Sequence, residues 1–400
     1  MSERRARFLL AMGCLLLPGQ PGATAPRHPP PARALVVATA AQDARFAAAF
    51  AEVDAWAAKK AFPGAVLAVG QHGRLVALKS FGRLESAPGA PPMPVNAVFD
   101  LASLTKVVGT TTAAATLYDR HQLDLDAPVM RYLPAFGATP GHEHITVRQL
   151  LTHSSGLKLT GLLWQQASDR QGILHQIDVM AAPDAPGTVY RYQDINLILM
   201  GEIVERISGM PLDRFLHKEV FGPLGMKDTG FRPPPALLPR IAPTEQDDIF
   251  RHTLVRGVVH DENSYVMGGV AGHAGLFSTA RDLATFAQLY LNGGRYHGRR
   301  ILRASTVALF MTPQNMPAGS TRALGWDMPA KDGGLAGPLA SPRAIMHTGF
   351  TGTSIYIDPV RDAFVVLLTN RVNPTRDNPL ITQARPAIHS AVLTALDATR

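Results

Sequence analysis

Ser103 and Lys106 stand three residues apart in Phe99-Asp100-Leu101-Ala102-Ser103-Leu104-Thr105-Lys106. On a helix, positions i and i+3 share a face one turn apart, so the lysine amine can reach the serine oxygen if both point into a dry site. That pairing would be a nucleophile beside a base. Val107 to Tyr118 contains no proline and one glycine, and the pattern predicts a helix. A second S-x-x-K copy, Ser155-Gly156-Leu157-Lys158, follows Thr152-His153-Ser154, where clustered hydroxyls and a glycine predict a turn. Ser103 is therefore the candidate nucleophile.

Such a serine needs a second proton handler, donors for an oxyanion, and something to hold substrate. Pro186 to Asp194 leads into a helix predicted from Ile195, and Tyr192 on that lip can present its hydroxyl to a site. His347-Thr348-Gly349 ends a predicted strand and runs into Phe350-Thr351-Gly352. Glycine there would let substrate approach the backbone closely, and the next amide could serve as an oxyanion donor. Met267 to Gly275 is glycine-rich, expected to be flexible and to border the site, with His273 a candidate substrate contact or part of a structural turn.

The elements that must position these residues follow from periodicity. Phe46, Phe50, Val53 and Trp56 recur at spacings of three and four, which predicts an amphipathic helix over Asp43 to Lys60, stopped by Pro63-Gly64. Ala65 to Val69 and Leu75 to Phe81, separated by Gly70, His72 and Gly73, predict a β-hairpin. The first run barely alternates, so its strand should be covered on both faces. Short helices are predicted at Val147 to Leu151 and from Pro211 to Val220, and a firm one at Ile195 to Ser208 closed by Gly209. Thr279 to Asp282 resembles a capping box before a helix with Phe286 and Leu289 on its inner face. Strands return at Ala344 to His347, Ser354 to Ile357 and Phe364 to Thr369, and Pro379 to Leu396 closes as a helix. The expected class is α+β: one antiparallel sheet built from both chain ends and flanked by terminal helices, with a mostly helical region at about 100–340 packed on it. A site would form in the seam.

Composition narrows the function. The 400 residues are 46% hydrophobic, enough for a large core, and the formal charge of +8 comes from scattered arginines with no basic run, which gives nucleic-acid binding little support. Residues 1–25 read as an export signal, basic from Ser2 to Arg7 and apolar from Phe8 to Leu17. That run is too short for a stable bilayer anchor. Lipoprotein processing at Cys14 and a twin-arginine reading at Arg4-Arg5 are weaker alternatives. Cys14 is the only cysteine, so the mature chain is expected to lack disulfides and cysteine chemistry. Residues 26–42 are read as a proline-rich linker and 43–400 as the catalytic domain. Neither His142-Glu143-His144 nor His260-Asp261-Glu262 has a third ligand at a helpful spacing, and no metal or cofactor is expected. No G-x-S-x-G elbow, Walker A loop or H-E-x-x-H occurs.

Taken in order, Ser103-Leu104-Thr105-Lys106, Tyr192-Gln193-Asp194 and His347-Thr348-Gly349 resemble the S-x-x-K, Y-x-N and K/H-T-G elements of the serine β-lactamase and penicillin-recognising family. That family includes DD-carboxypeptidases, class C β-lactamases and family VIII carboxylesterases. Gln149 to Leu157, Gly201 to Glu205 and Gly275 to Leu283 also look like the family, and the resemblance covers about residues 43–396. It implies an exported serine hydrolase working through a Ser103 acyl-enzyme on D-alanyl peptides or β-lactams. The alternatives are a carboxylesterase of small esters, or an impaired protein that only binds penicillin or peptidoglycan. It further implies that Lys106 and Tyr192 share the proton work, that the amides of Ser103 and Phe350 form the oxyanion hole, and that Asp194, His347, Thr348, Gly349 and Thr351 line the substrate strand. Two departures matter. Asp194 replaces asparagine, and a carboxylate near Lys106 should raise the lysine pKa and shift weight to Tyr192. His347 replaces the commoner lysine and is expected to carry partial charge near neutrality, so that an anionic substrate binds better as pH falls towards 6.

Overall fold

The structure, a computed structural model, describes residues 34–330 and 333–398. The predicted signal segment, Cys14 and the start of the predicted linker lie outside the described residues.

Six strands form the main sheet: β1 (Val36–Val37), β2 (Gly64–Gln71), β3 (Arg74–Gly82), β4 (Ile345–Thr348), β5 (Ser354–Asp358) and β6 (Ala363–Thr369). Their order is β1-β3-β2-β6-β5-β4, so strands from both chain ends do build one sheet. All pairings are antiparallel except that of β1, which runs parallel to β3. That edge strand falls inside the stretch 26–42 read as linker, which is a correction: two valines with no apolar periodicity gave no sequence signal, and pairing to β3 orders them. The β2–β3 turn is His72-Gly73, with φ of 52° and 73°, the doubly positive geometry of a tight hairpin.

Every residue of β2 is buried. Ala65, Leu67 and Val69 meet α1 (Ala47–Ala58) and the C-terminal helix Ile381–Asp397, while Val66 and Ala68 face the helical region. β6 divides likewise, Val365 and Leu367 on one side and Phe364, Val366 and Leu368 on the other. A sheet covered on both faces needs near-continuous apolar strands, which is what these runs supply. The helical region contributes α2 (Asp194–Ser208) and α3 (Ala280–Leu291). Thr279 caps α3 by accepting from the Asp282 amide, and Phe286 and Leu289 are fully buried. Val147–Leu151 is a helix opened by a capping box of Thr146 and Gln149. Strand β4 lies at the sheet edge against this region, which puts His347 and Thr348 at the seam.

Candidate active site

Ser103 sits on a turn entered through Ala102, whose φ of 45° is unusual for a residue with a side chain. Buried Asp100 braces that turn: its carboxylate accepts the Ala102 amide at 2.8 Å and the His260 amide at 2.7 Å. Burial pushes the Asp100 pKa up, against the pull of those two amides. The chain then enters a wide π-helical turn, Lys106–Thr111, and continues as an α-helix, Thr112–Asp119. The predicted helix is present, with Ser103 just ahead of it.

Lys106 is buried, and its Nζ donates to Ser103 Oγ at 2.8 Å and to the His273 carbonyl at 3.1 Å. Asp194 Oδ1 lies 2.6 Å from the same Nζ. An ammonium has three hydrogens, which these acceptors and the nearby Tyr192 oxygen share. Burial pulls the Lys106 pKa down, but the charge and hydrogen bonds of Asp194 and Tyr192 outweigh it and hold the lysine above its ordinary range. The His273 carbonyl reaches the lysine because its loop packs hard on α2. A Cβ on Gly272 would stand 1.9 Å from the Leu197 carbonyl oxygen, so only glycine fits this crossing.

The Ser103 hydroxyl opens into a cavity of about 670 Å³. Its walls include Tyr192, Asp194, Asp261, Asp327, His347 and Phe350. The Tyr192 ring centroid is 6.0 Å from that of His347, and Lys106 Nζ lies 5.2 Å from the centre of the Tyr192 ring. Among the described residues, neither the Ser103 nor the Phe350 amide donates to another backbone group, and both residues line the cavity, as an oxyanion site requires.

The structure brings several of the residues named from sequence together. Ser103, Tyr192, Asp194, His347, Thr348 and Phe350 converge on one cavity, with Lys106 behind Ser103. Others need correction. Thr351 does not line the cavity: it is buried, and its hydroxyl donates to the Asp100 carbonyl at 2.7 Å. Gly349 is glycine for a different reason from the one expected. A Cβ there would stand 2.1 Å from Thr353 Oγ1 and 2.4 Å from the Leu101 carbonyl, so it lets the end of β4 dock against the nucleophile turn instead of admitting substrate. His347 is buried, its Nδ1–H donates to the Thr348 carbonyl at 3.0 Å, and its pKa falls to about 4. Burial is the main cause, opposed by Asp327 and reinforced by Arg322 and Lys106. The expected partial charge near neutrality is therefore absent. Met267 to Gly275 is packed at Gly272 and His273, and only Ala274 of that loop lines the cavity. His273 meets Asp261 at 2.8 Å through Nε2.

The two histidine-containing triplets make other contacts. Both ring nitrogens of His142 meet backbone carbonyls, of Phe136 at 2.9 Å and Met180 at 2.8 Å. His260 meets Glu245 at 2.9 Å, and Glu262 holds Arg376. Ligand atoms of Asp194, Asp261 and His273 do lie within 4.8 Å of one another. The Lys106 ammonium, 2.6 Å from Asp194, supplies the positive charge that this cluster calls for. Asp100 and Asp327 carry no role in the sequence reading, and Asp261 enters it only within the His260-Asp261-Glu262 triplet. Asp100 had a signal, three residues before Ser103; the other two are joined to the site only by the fold.

The Beta-lactamase family model matches residues 24–388. This chain is a member of the β-lactamase family. Like other members of that family it is a serine hydrolase. An Escherichia coli (strain K12) protein named "Putative D-alanyl-D-alanine carboxypeptidase" is 32% identical over 358 residues, 80% of this chain and 82% of that protein. Among solved structures, a class C β-lactamase from Rhodobacter sphaeroides aligns with a TM-score of 0.66 at 23% identity, covering 87% of this β-lactamase-family chain and 99% of its own. EstCE1, described as a hydrolase with promiscuous acyltransferase activity, aligns with a TM-score of 0.68 at 22% identity, covering 88% and 99%. The fold is thus β-lactamase/transpeptidase-like, of the α+β class.

Proposed function

We propose that this chain is an exported hydrolase that cleaves amide bonds of D-alanyl peptides or β-lactams through an acyl-enzyme on Ser103. The observation that carries the reading is the 2.8 Å contact between Ser103 Oγ and Lys106 Nζ at the mouth of a cavity also lined by Tyr192 and Phe350. Ser103 Oγ attacks the carbonyl carbon, and its proton passes to Tyr192 acting as a phenolate beside the Lys106 ammonium, since Lys106 already carries three hydrogens. The carbonyl oxygen becomes an oxyanion held by the Ser103 and Phe350 amides. The C–N bond breaks as the proton is delivered to the leaving nitrogen, and water then hydrolyses the ester on Ser103. Lys106 remains an ammonium that stabilises negative charge on Ser103 and Tyr192 in turn. Export rests on the basic and then apolar pattern of residues 2–17. Among the described residues no helix is long and apolar enough to cross a membrane.

The name of the Escherichia coli relative supports the peptide reading. A second reading, a small-ester hydrolase, is favoured by the charge around the cavity. His347 is neutral, and Arg376, the one Lys or Arg among the described lining residues, is held by Glu245 and Glu262. Among the described lining residues a substrate carboxylate therefore meets no spare cation. Turnover of a D-alanyl-D-alanine peptide, a chromogenic cephalosporin and p-nitrophenyl esters, each beside Ser103→Ala, decides between them. Peptide or cephalosporin cleavage lost in the variant supports the first reading, and ester cleavage alone supports the second. Activity that survives Ser103→Ala removes both.

A further inference from the structure

Tyr192 stands on an irregular segment before α2 and is 40% exposed, so the regular elements alone do not fix its ring. His153 does. The two rings lie 4.6 Å apart, centroid to centroid, at 33°. His153 also holds the main chain on both sides of the tyrosine. The Arg191 amide donates to the His153 carbonyl at 2.8 Å, and the Gln193 amide donates to His153 Nδ1 at 3.2 Å. Asn196 Nδ2, on the first turn of α2, donates to the same Nδ1 at 3.2 Å, and Asn196 Oδ1 accepts the Ser155 hydroxyl at 2.6 Å.

His153 makes these contacts with a φ of 53°, a conformation that side chains resist and that persists where surrounding contacts over-determine it. Because Nδ1 accepts from N–H groups, the ring proton sits on Nε2 and the imidazole is neutral. Burial keeps it so, with Arg322, Lys106 and His347 adding to the effect.

We infer that His153 is a positioning residue that aims the Tyr192 hydroxyl at the Ser103–Lys106 pair. It fixes the tyrosine at three points: the preceding amide, the following amide and the ring face. The inference rests on the reading of Tyr192 as a proton handler.

The test measures kcat and KM on p-nitrophenyl acetate and a chromogenic cephalosporin for His153→Gln, His153→Phe and Tyr192→Phe, singly and combined. Gln keeps an acceptor but no ring, and Phe keeps the ring but no acceptor. Since misplacing a catalytic group by about 1 Å costs on the order of 100-fold, His153→Gln is expected to lower kcat by about 10- to 100-fold with KM within about twofold. On the Tyr192→Phe background the same change should cost less than about twofold more, because its target is gone. His153→Phe should recover part of kcat. Equal losses in both backgrounds, or native kcat in His153→Gln, would overturn the inference. If His153→Gln does not fold, His153→Phe alone and on Tyr192→Phe is judged by the same criterion. Native activity in Tyr192→Phe alone would instead overturn the proton-handler reading beneath it.

Discussion

Lys106 Nζ lies 2.6 Å from Asp194 Oδ1, with the lysine buried and the carboxylate partly exposed at the cavity wall. Asp194 is the first residue of α2, where the positive end of the helix also favours a carboxylate. The pair keeps Lys106 protonated, and in the proposed mechanism it acts as a fixed positive charge beside Ser103 and leaves the proton acceptance to Tyr192.

Removing the Asp194 charge should release the lysine. With Lys106 acting as an ammonium, Asp194→Asn is expected to bring the alkaline limb of the kcat/KM profile to lower pH by about one unit or more. A profile that does not move would show that the Asp194 carboxylate is not coupled to the proton handler. A loss beyond about a thousandfold at every pH would instead make Asp194 the base.

Tyr192→Phe tests the other half of that division. Loss of a general base typically costs about 10²- to 10⁴-fold, and the loss should appear in kcat with KM nearly unchanged. A KM effect alone would reduce Tyr192 to a substrate contact.

The neutral state of His347 makes a prediction opposite to the one drawn from sequence. With its pKa near 4, the imidazole gains charge only as pH falls well below 6. KM for an anionic substrate should therefore stay flat between pH 6 and 8, and His347→Lys should lower it. A KM that falls steadily from pH 8 to 6 would contradict the buried, neutral ring.

Gly349→Ala should destabilise the protein and slow it. The added carbon would sit 2.1 Å from Thr353 Oγ1 and 2.4 Å from the Leu101 carbonyl, and overpacking of this kind costs about 1–3 kcal/mol. Denaturant unfolding read beside kcat measures both effects. Unchanged stability would mean that the β4 end does not dock on the nucleophile turn as described.

Acid stability should depend on Glu245, which joins the cavity wall to the C-terminal segment. Burial raises its pKa, but hydrogen bonds from His260 and Arg376 outweigh that and hold it at about 2. A depressed carboxylate contributes stability above its unfolded pKa, here 4.5, and loses it as pH falls towards about 2. Unfolding free energy should decline across that window, and Glu245→Gln should flatten the decline. An equal slope in the variant would place the acid sensitivity elsewhere.

How much of this was legible depended on whether the cause was local. Ser103 and Lys106 could be read because one helical turn relates them, and the apolar runs of β2 and β6 could be read because a strand covered twice has no polar alternation. The charge state of His347 could not, since it is set by burial and by Arg322, Asp327 and Lys106, which other segments bring near. The roles of Thr351 and Gly349 were misread for the same reason: their neighbours, Asp100 and Leu101, lie some 250 residues away in the chain. β1 was missed because two residues carry no period.

The measurement that tests the central claim most directly is the intact mass of the protein, beside Ser103→Ala, after mixing with benzylpenicillin, a D-alanyl peptide and a p-nitrophenyl ester. The account predicts an acyl adduct or substrate consumption with at least one of them, lost in Ser103→Ala, with any adduct mapping to the peptide that contains Ser103. Inertness toward all three, or adducts that persist in Ser103→Ala, would contradict it.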